Sequence, residues 1–522
     1  MPSLTSLPRD VHQHIISYLL SVRDVASLSK TCKALHHMCD MELRHEYHSV
    51  KIEGNRGSLN IAYDLLIGIL RRPVLGHYIR HVEVRAREPR RLAYKEQEPQ
   101  REIDEEELNL LRGAIRNAGF EGEEEGPMLN MLAQRMSYEH FKFGTVLQRR
   151  NMDTVFVPQA LAALIVSVAP FLESLSTSPT GCHVYTRPGA APPPRALYPL
   201  DNLLRRVNSN PENPFPYLQN LRKVYIINNP DGIYQDNRFY ISMDLFTCIT
   251  AIDNLPSIES IATDVIEEDG NGLSSLPRFS SQLTTLAIHH SSIPSSYLVS
   301  LICSCKTLRN LGFSVGGRCT NSGGHPMFNP KPVLQALLYH KTTLENLDLD
   351  VDSYIFAFDP HVDEENELHT TERYDRDYDD TDAGSPQLSP PTLRTQSGSL
   401  HSFSNLRHLS IGVGLLFYFA RGVTPGTPTP PLHSGFSLLA TLPPNLESLC
   451  IRGYKRGDVP ARDVAIEELV EAIKAGGVEL ELSGVVETVP RGENVDDPDG
   501  QPHLLWRPRE EGASEGETDD EE

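Results

Sequence analysis

The chain lacks the features on which most catalytic, secretory and membrane assignments rest. Its eight cysteines are scattered and none forms a C-x-x-C pair. Cys303 and Cys305 are separated by a single residue, poor spacing for a zinc knuckle, so reduced thiols are expected. No basic region followed by an apolar run opens the sequence, which argues against a secretory signal. The longest apolar stretch, Ala160 to Val168, is followed by Pro170 and is far too short to span a bilayer. An intracellular protein of the cytoplasm or nucleus, without membrane contact, is the expectation.

Catalytic constellations are missing too. There is no G-x-S-x-G elbow and no H-E-x-x-H pair, and the glycines at 316–317 and 323–324 follow no phosphate-binding pattern. His289-His290 has no carboxylate at metal-ligand spacing, and His12 and His14 are two residues apart, so they cannot share a helix face. Asp348, Asp350 and Asp352 open like a calcium loop with Asp359 at its twelfth position, but Ser353 stands where the sharp turn needs glycine. Alternating Asp on an exposed strand is the better reading. No enzyme activity, metal or cofactor is expected. With 48 Lys+Arg against 70 Asp+Glu and no basic stripe, neither is nucleic-acid binding.

The formal charge of −22 is concentrated. Asp359 to Asp382 holds eleven acidic and two basic residues, and Arg509 to Glu522 eight acidic and one basic. These segments account for most of the excess, which reads as solvated chain. With 39 prolines and 35 glycines, much of the rest is loop. Five segments follow: a helical block at 1–48, patterned chain at 59–355, an acidic Ser/Pro-rich disordered insertion at 359–400, patterned chain again at 401–484, and an acidic disordered tail at 487–522. The insertion reads as a solvated excursion or as a regulated one, with Ser385-Pro386 and Ser389-Pro390 as kinase sites; Ser514 and Thr518 lie in acidic context in the tail.

A recurring apolar-x-x-apolar-x-apolar motif organises the patterned chain. It runs through Leu221-Val224-Ile226, Leu283-Leu286-Ile288, Leu308-Leu311-Phe313, Leu344-Leu347-Leu349, Leu406-Leu409-Ile411 and Leu446-Leu449-Ile451. Leu172-Leu175 and Ile258-Ile261 are shorter copies, and Ile79-Val82-Val84 a diverged first one. This is how a leucine-rich repeat reads: a turn, then a short strand facing a shared core, with neighbours stacked into a solenoid. Helical patterns precede several copies, at Tyr297–Ile302 and Pro332–Tyr339, and further helices are expected at Ile103–Ala118 and Val464–Ala475. The fold class is therefore α/β, a helical block followed by an irregular leucine-rich-repeat-like solenoid. Residues alternating with the buried ones would line its concave face: Tyr225, Ile227, Ala287, His289, Gly312, Ser314, Asp348, Asp350, Ser410, Cys450 and Arg452. The aspartates form its one acidic spot, suited to a basic partner segment.

In the first forty residues, Leu7-Pro8 precedes a helix from about Arg9 to Leu20, Asp24 is placed to cap a second, and Cys32, Leu35 and Cys39 continue through a third. Such a unit buries too little surface to stand alone. The string LPRDVHQHIISYLLSVRDVASLSKTCKALHHMC resembles the F-box, with its Leu-Pro start, Asp-Val-x-x-x-Ile and Leu-Ser-x-Thr-Cys-Lys-x-Leu. The tryptophan many F-boxes carry near the end is replaced by His36-His37-Met38. With the repeats, the chain resembles fungal F-box proteins. The resemblance implies docking onto a Skp-type adaptor that joins a cullin scaffold, with Leu7, Pro8, Val11, Ile15, Leu19, Leu28 and Leu35 at the positions that build the fold or its adaptor contact. It also implies a protein substrate held by the solenoid, as in a ubiquitin-ligase receptor. A repeat scaffold without ubiquitin machinery is the alternative.

Overall fold

Short segments with apolar residues at every second position decide most of this fold. The computed structural model describes residues 7–8, 11–12, 15–16, 19, 22–85, 101–133, 156–178, 198–210, 215–227, 238–268, 276–320, 328–352, 355, 392–427, 429, 432 and 435–485. Two units divide the chain: residues 1–181 with 191–225 and 255–258, and residues 182–190 with 226–254 and 259–522.

The first unit begins with helices. Val11, His12, Ile15 and Ile16 are helical, and α1 (Val22–Ser29), α2 (Lys33–Met38) and α3 (Met41–His48) follow. Asp24 lies inside the first turn of α1 and does not cap it; there its charge still suits the positive helix end. Ile16, Val25 and Cys39 form a small core, with Leu19, Leu28, Met38 and Met41 partly buried against it.

Beyond these helices come β1 (Ser49–Glu53), α4 (Arg56–Arg71), β2 (His81–Arg85), α5 (Glu105–Asn117), α6 (Glu125–Leu132), α7 (Phe156–Ser167), β3 (Ser174–Thr177), α8 (Pro199–Asn208) and β4 (Lys223–Ile226). The strands lie side by side in chain order, β1 parallel to β2 and β2 to β3, with Val50, Val82 and Leu175 in one register. The Asp104 carboxylate accepts from the Glu107 N–H at 2.8 Å and starts α5, whose first turn is acidic. Apolar on all sides, α7 is buried from Val157 to Val166.

The second unit holds two parallel sheets. One pairs β5 (Ile241–Met243) with β7 (Ile266–Glu268). The other takes β6 (Ser260–Asp264), β8 (Thr285–His289), β9 (Asn310–Ser314), β10 (Asn346–Asp350), β11 (His408–Gly412), β12 (Ser448–Arg452) and β13 (Glu481–Val485) in that order. Parallel neighbours need a crossover, and helices supply several of them. They are α10 (Ser295–Ser304) before β9, α11 (Pro330–Leu337) before β10 and α13 (Pro460–Lys474) before β13; α9 (Leu245–Thr250) follows β5 and α12 (Val413–Arg421) follows β11.

All nine motif copies end in a strand of one unit or the other. Their apolar positions stack in register, with Leu286, Leu311, Leu347, Leu409 and Leu449 side by side and each at most 2% exposed. Burying each such leucine contributes on the order of 2 kcal/mol. Ile288, Phe313, Leu349, Ile411 and Ile451 form the parallel row.

Backbone bonds lock one strand entry to the next. The Arg309 carbonyl accepts from the N–H groups of Glu345 and Asn346 at 2.8 and 3.0 Å, and the Arg407 carbonyl from Glu447 and Ser448 at 2.8 and 2.9 Å. An asparagine just ahead of the motif adds a side-chain bond: Asn405 donates to the Thr342 carbonyl at 2.6 Å, and Asn445 to that of Ser404 at 2.7 Å. Buried His340 bridges two elements, its Nε2–H donating to the Ile302 carbonyl at 3.0 Å while Nδ1 accepts from the Leu308 N–H at 3.3 Å. Burial holds its imidazole below the usual pKa, so it stays neutral.

Two segment expectations change. Disorder was expected through residue 400, yet 392–400 is ordered, because Leu393 and Leu400 are buried and the Gln335 amide donates to the carbonyls of Arg394 and Gln396. The sequence pattern also passes over β1, β5, β7 and β13. Ser385, Ser389, Ser514, Thr518 and the rest of both acidic segments lie outside the described residues.

Candidate functional site

The N-terminal helices present apolar residues that their own core does not consume. Pro8 opens the first helix, its carbonyl accepting from the N–H groups of Val11 and His12, each at 3.1 Å. The helical pitch then turns Ile16 inward and leaves Val11 and Ile15, one turn apart, on an adjoining stripe. Val11 is 42% exposed, Pro8 is exposed, and Leu7, Ile15, Leu19 and Leu28 are half-buried. Leu35 differs. At 5% exposure it packs inside, so it builds the fold and offers a partner nothing.

These helices are seated on a 3-10 helix, Pro73–Tyr78. Arg44 lies over the Tyr78 ring at 4.4 Å, the Tyr78 hydroxyl donates to Asp40 at 3.2 Å, and Arg72 stands 3.8 Å from the same carboxylate. Asp40 holds a left-handed backbone, φ 47°, at the turn between α2 and α3.

The second feature is the open face of β8–β12. A depression of about 290 Å³ is floored by small residues, Ala287, Gly312, Ser410 and Cys450, and flanked by His289 and Asp348. Along one edge runs a row of polar side chains: Asn310 donates to Thr285 at 2.8 Å, Asn346 donates to Asn310, and His408 pairs with Ser448 at 2.8 Å. Tyr225 and Ile227 are half-buried and lie outside the depression.

Charge on this face is organised by Arg452. Its Nε donates to Ser410 at 2.9 Å, Nη1 to Asp350 at 3.0 Å, and Nη2 lies 2.9 Å from Asp348. The acidic spot is thus already half neutralised by the chain's own guanidinium. Asp350, 3% exposed beneath it, is not on the accessible face, and neither is Ser314, 5% exposed, whose hydroxyl accepts from the His290 N–H at 2.8 Å. Alternation fixed the direction of both side chains but not what covers them.

Asp352 belongs to a different cluster. Its carboxylate accepts from the Gly414 and Leu415 N–H groups at 2.6 and 3.2 Å, at the start of α12, and occupies the space a Cβ on Gly412 would need. Burial pushes its pKa from an ordinary 3.8 up to about 6; the two N–H groups and Arg462 pull the other way and Asp350 adds to the rise. Between these values the folded chain binds more protons than the unfolded one, so this group's contribution is full below about pH 4 and falls as pH rises through 6. Asp352→Asn keeps an acceptor without the charge. Its stability relative to the native chain is expected to rise by about 2 kcal/mol between pH 4 and pH 7, which urea unfolding at the two pH values measures.

Among the described residues no group of His, Cys, Asp and Glu could hold a metal ion, and no helix is long and apolar enough to cross a membrane. Burial pushes the thiols of Cys303 and Cys305 up to about 12, which leaves them poor nucleophiles. Both surfaces described above are suited to contact. The missed signals were legible in part: the polar row occupies the residue just before each motif's second apolar position. No curated protein matches the chain. Residues 4–48 match the F-box-like family model, and the chain carries an F-box-like domain at its N-terminal helices.

Proposed function

We propose that this chain is the substrate-recognition subunit of an SCF-type E3 ubiquitin ligase of the cytoplasm or nucleus. The F-box-like domain docks on a Skp-type adaptor, which joins it to a cullin scaffold. The parallel strands form an irregular leucine-rich-repeat solenoid, as in fungal F-box proteins, and its open face holds a protein substrate. The observation that carries this reading is the unconsumed apolar surface of the matched domain: Pro8 and Val11 exposed and Leu7 and Ile15 half-buried, beside a core that among the described residues includes Ile16, Val25 and Cys39. A helical block of about forty residues with apolar side chains left in water gains from a partner that covers them.

The chain is then non-catalytic. It raises the effective concentration of a substrate beside a charged ubiquitin carrier, so its contribution is proximity. The F-box-like domain supplies one attachment and the open face of the strands the other.

A second reading, a repeat scaffold that binds a partner without ubiquitin machinery, draws on the seating of the helices against Tyr78 and Arg72, which a simple end cap would also show. Co-purification separates the two. An adaptor and a cullin recovered with the intact chain and lost on removal of residues 1–45 support the receptor. Recovery of the same partners by both forms supports the scaffold.

A further inference from the structure

We propose that Thr424, on an exposed turn of the second unit, is phosphorylated by a kinase that selects proline after its target. The site does not depend on the receptor reading and would stand if that reading failed.

Three candidates follow one another in the sequence: Thr424-Pro425, Thr427-Pro428 and Thr429-Pro430. Proline has no backbone N–H. A kinase pocket without an acceptor for the residue after the target therefore selects proline over residues whose N–H would be left unpaired.

The fold separates the three. Val423 and Gly398 exchange backbone hydrogen bonds at 2.8 and 3.1 Å, and this pair anchors the base of the turn. Beyond it the chain reverses through Pro425 and Gly426, whose φ of 68° suits the third position of a turn that has proline at the second. Thr424, Pro425, Gly426 and Thr427 are all exposed. Thr429 returns to the fold: it is 9% exposed, and its hydroxyl donates to the Gly422 carbonyl at 3.4 Å. Burial withdraws Thr429 from a kinase. Of the exposed pair, Thr427 uses its hydroxyl as a donor to the Thr424 carbonyl at 3.4 Å, whereas the Thr424 hydroxyl makes no hydrogen bond among the described residues. Thr424 is thus the target.

Entry into a kinase cleft needs the tip extended, so the turn has to open. What closes it is weak. The Thr427 N–H and hydroxyl both reach the Thr424 carbonyl at 3.4 Å, and Lys331 Nζ reaches the Thr427 carbonyl at 3.3 Å, all long for hydrogen bonds. Opening the tip leaves the Val423–Gly398 pair in place. In the transfer, Thr424 Oγ1 forms a bond to the γ-phosphorus of ATP as the bond from that phosphorus to the bridging oxygen of ADP breaks. ADP leaves, and the hydroxyl proton passes to the catalytic aspartate of the kinase. The tip then carries about two added negative charges, in contact with water.

The test compares the purified full-length chain with a synthetic peptide of residues 418–433 as substrates of a mitogen-activated protein kinase and ATP, with the sites resolved by tandem mass spectrometry. Thr424 in the chain is expected to be modified within about tenfold of its rate in the peptide. Thr429 in the chain should react at least ~100-fold more slowly than in the peptide, because burial admits the kinase to a rare open form alone. Pro425→Ala should lower the Thr424 rate about tenfold in chain and peptide alike, with thermal unfolding confirming that the chain folds. The peptide keeps that comparison interpretable if the variant chain does not. No phosphate on Thr424 of the chain, equal modification of Thr424 and Thr429 there, or indifference to Pro425→Ala overturns the proposal.

Discussion

Val11→Asp combined with Ile15→Asp is expected to weaken binding of a Skp-type adaptor by at least ~100-fold while leaving thermal unfolding of the chain unchanged. Both residues lie on one stripe of the first helix, one turn apart, beside buried Ile16. With Val11 42% exposed and Ile15 half-buried, the free chain tolerates carboxylates there, since water still reaches them. Under a partner that water is lost, and each uncompensated charge costs a few kcal/mol. Even about 3 kcal/mol in total corresponds to ~100-fold in affinity. Titration calorimetry with purified adaptor measures it. Leu35→Asp is the contrasting control: at 5% exposure it should unfold the helices and lose binding through the fold. Equal affinity of the double variant and the native chain would place the adaptor elsewhere.

Removing the guanidinium of Arg452 should be the most damaging single change on the open face. Arg452→Ala removes the guanidinium that stands 3.0 Å from the Asp350 carboxylate, 3% exposed, and breaking a buried pair from one side costs about 3–5 kcal/mol. The remedy is specific. Asp350→Asn together with Arg452→Met removes both charges of the pair and should recover part of the loss, by as much as the two sites are coupled. Urea midpoints of the single and double variants form the comparison. A loss below about 1 kcal/mol for Arg452→Ala would show that the pair is solvated and worth no more than an exposed one.

That pair shows why the site was only partly legible. The apolar motif fixes which residues of each strand point inward, and Leu347 and Leu349 on β10 or Leu449 and Ile451 on β12 follow from it directly. Arg452 and Asp350 are 102 residues apart, and nothing local announces that they meet. They do so because β11 lies between β10 and β12 and presents small Ser410 where the long side chain crosses. Asp350 looked accessible for the same reason, since strand alternation says where a side chain points and is silent on what a neighbouring strand lays over it.

Other misses have local causes. β1 offers just Val50 and Ile52, without the leading apolar residue that marks the later strands. Residues 392–400 follow an acidic, Ser/Pro-rich stretch, and that composition masks the two leucines, Leu393 and Leu400, that are buried there. Charge could have been read further. From Leu308 on, the residue after the first leucine alternates in sign between successive copies, and Arg309–Glu345 and Arg407–Glu447 are ion pairs at 3.5 and 3.1 Å. Exposed pairs of this kind stabilise little, so their value is as a record of which strands are neighbours.

The F-box-like domain was the most legible part, because Leu7-Pro8 and the run from Leu28 to Leu35 carry its pattern in the order of the sequence itself. The most direct measurement of the proposed function is sedimentation of the purified full-length chain with a purified Skp-type adaptor. A stable one-to-one complex that disappears with Val11→Asp/Ile15→Asp is the expected result. Two species that sediment independently at micromolar concentration would contradict it.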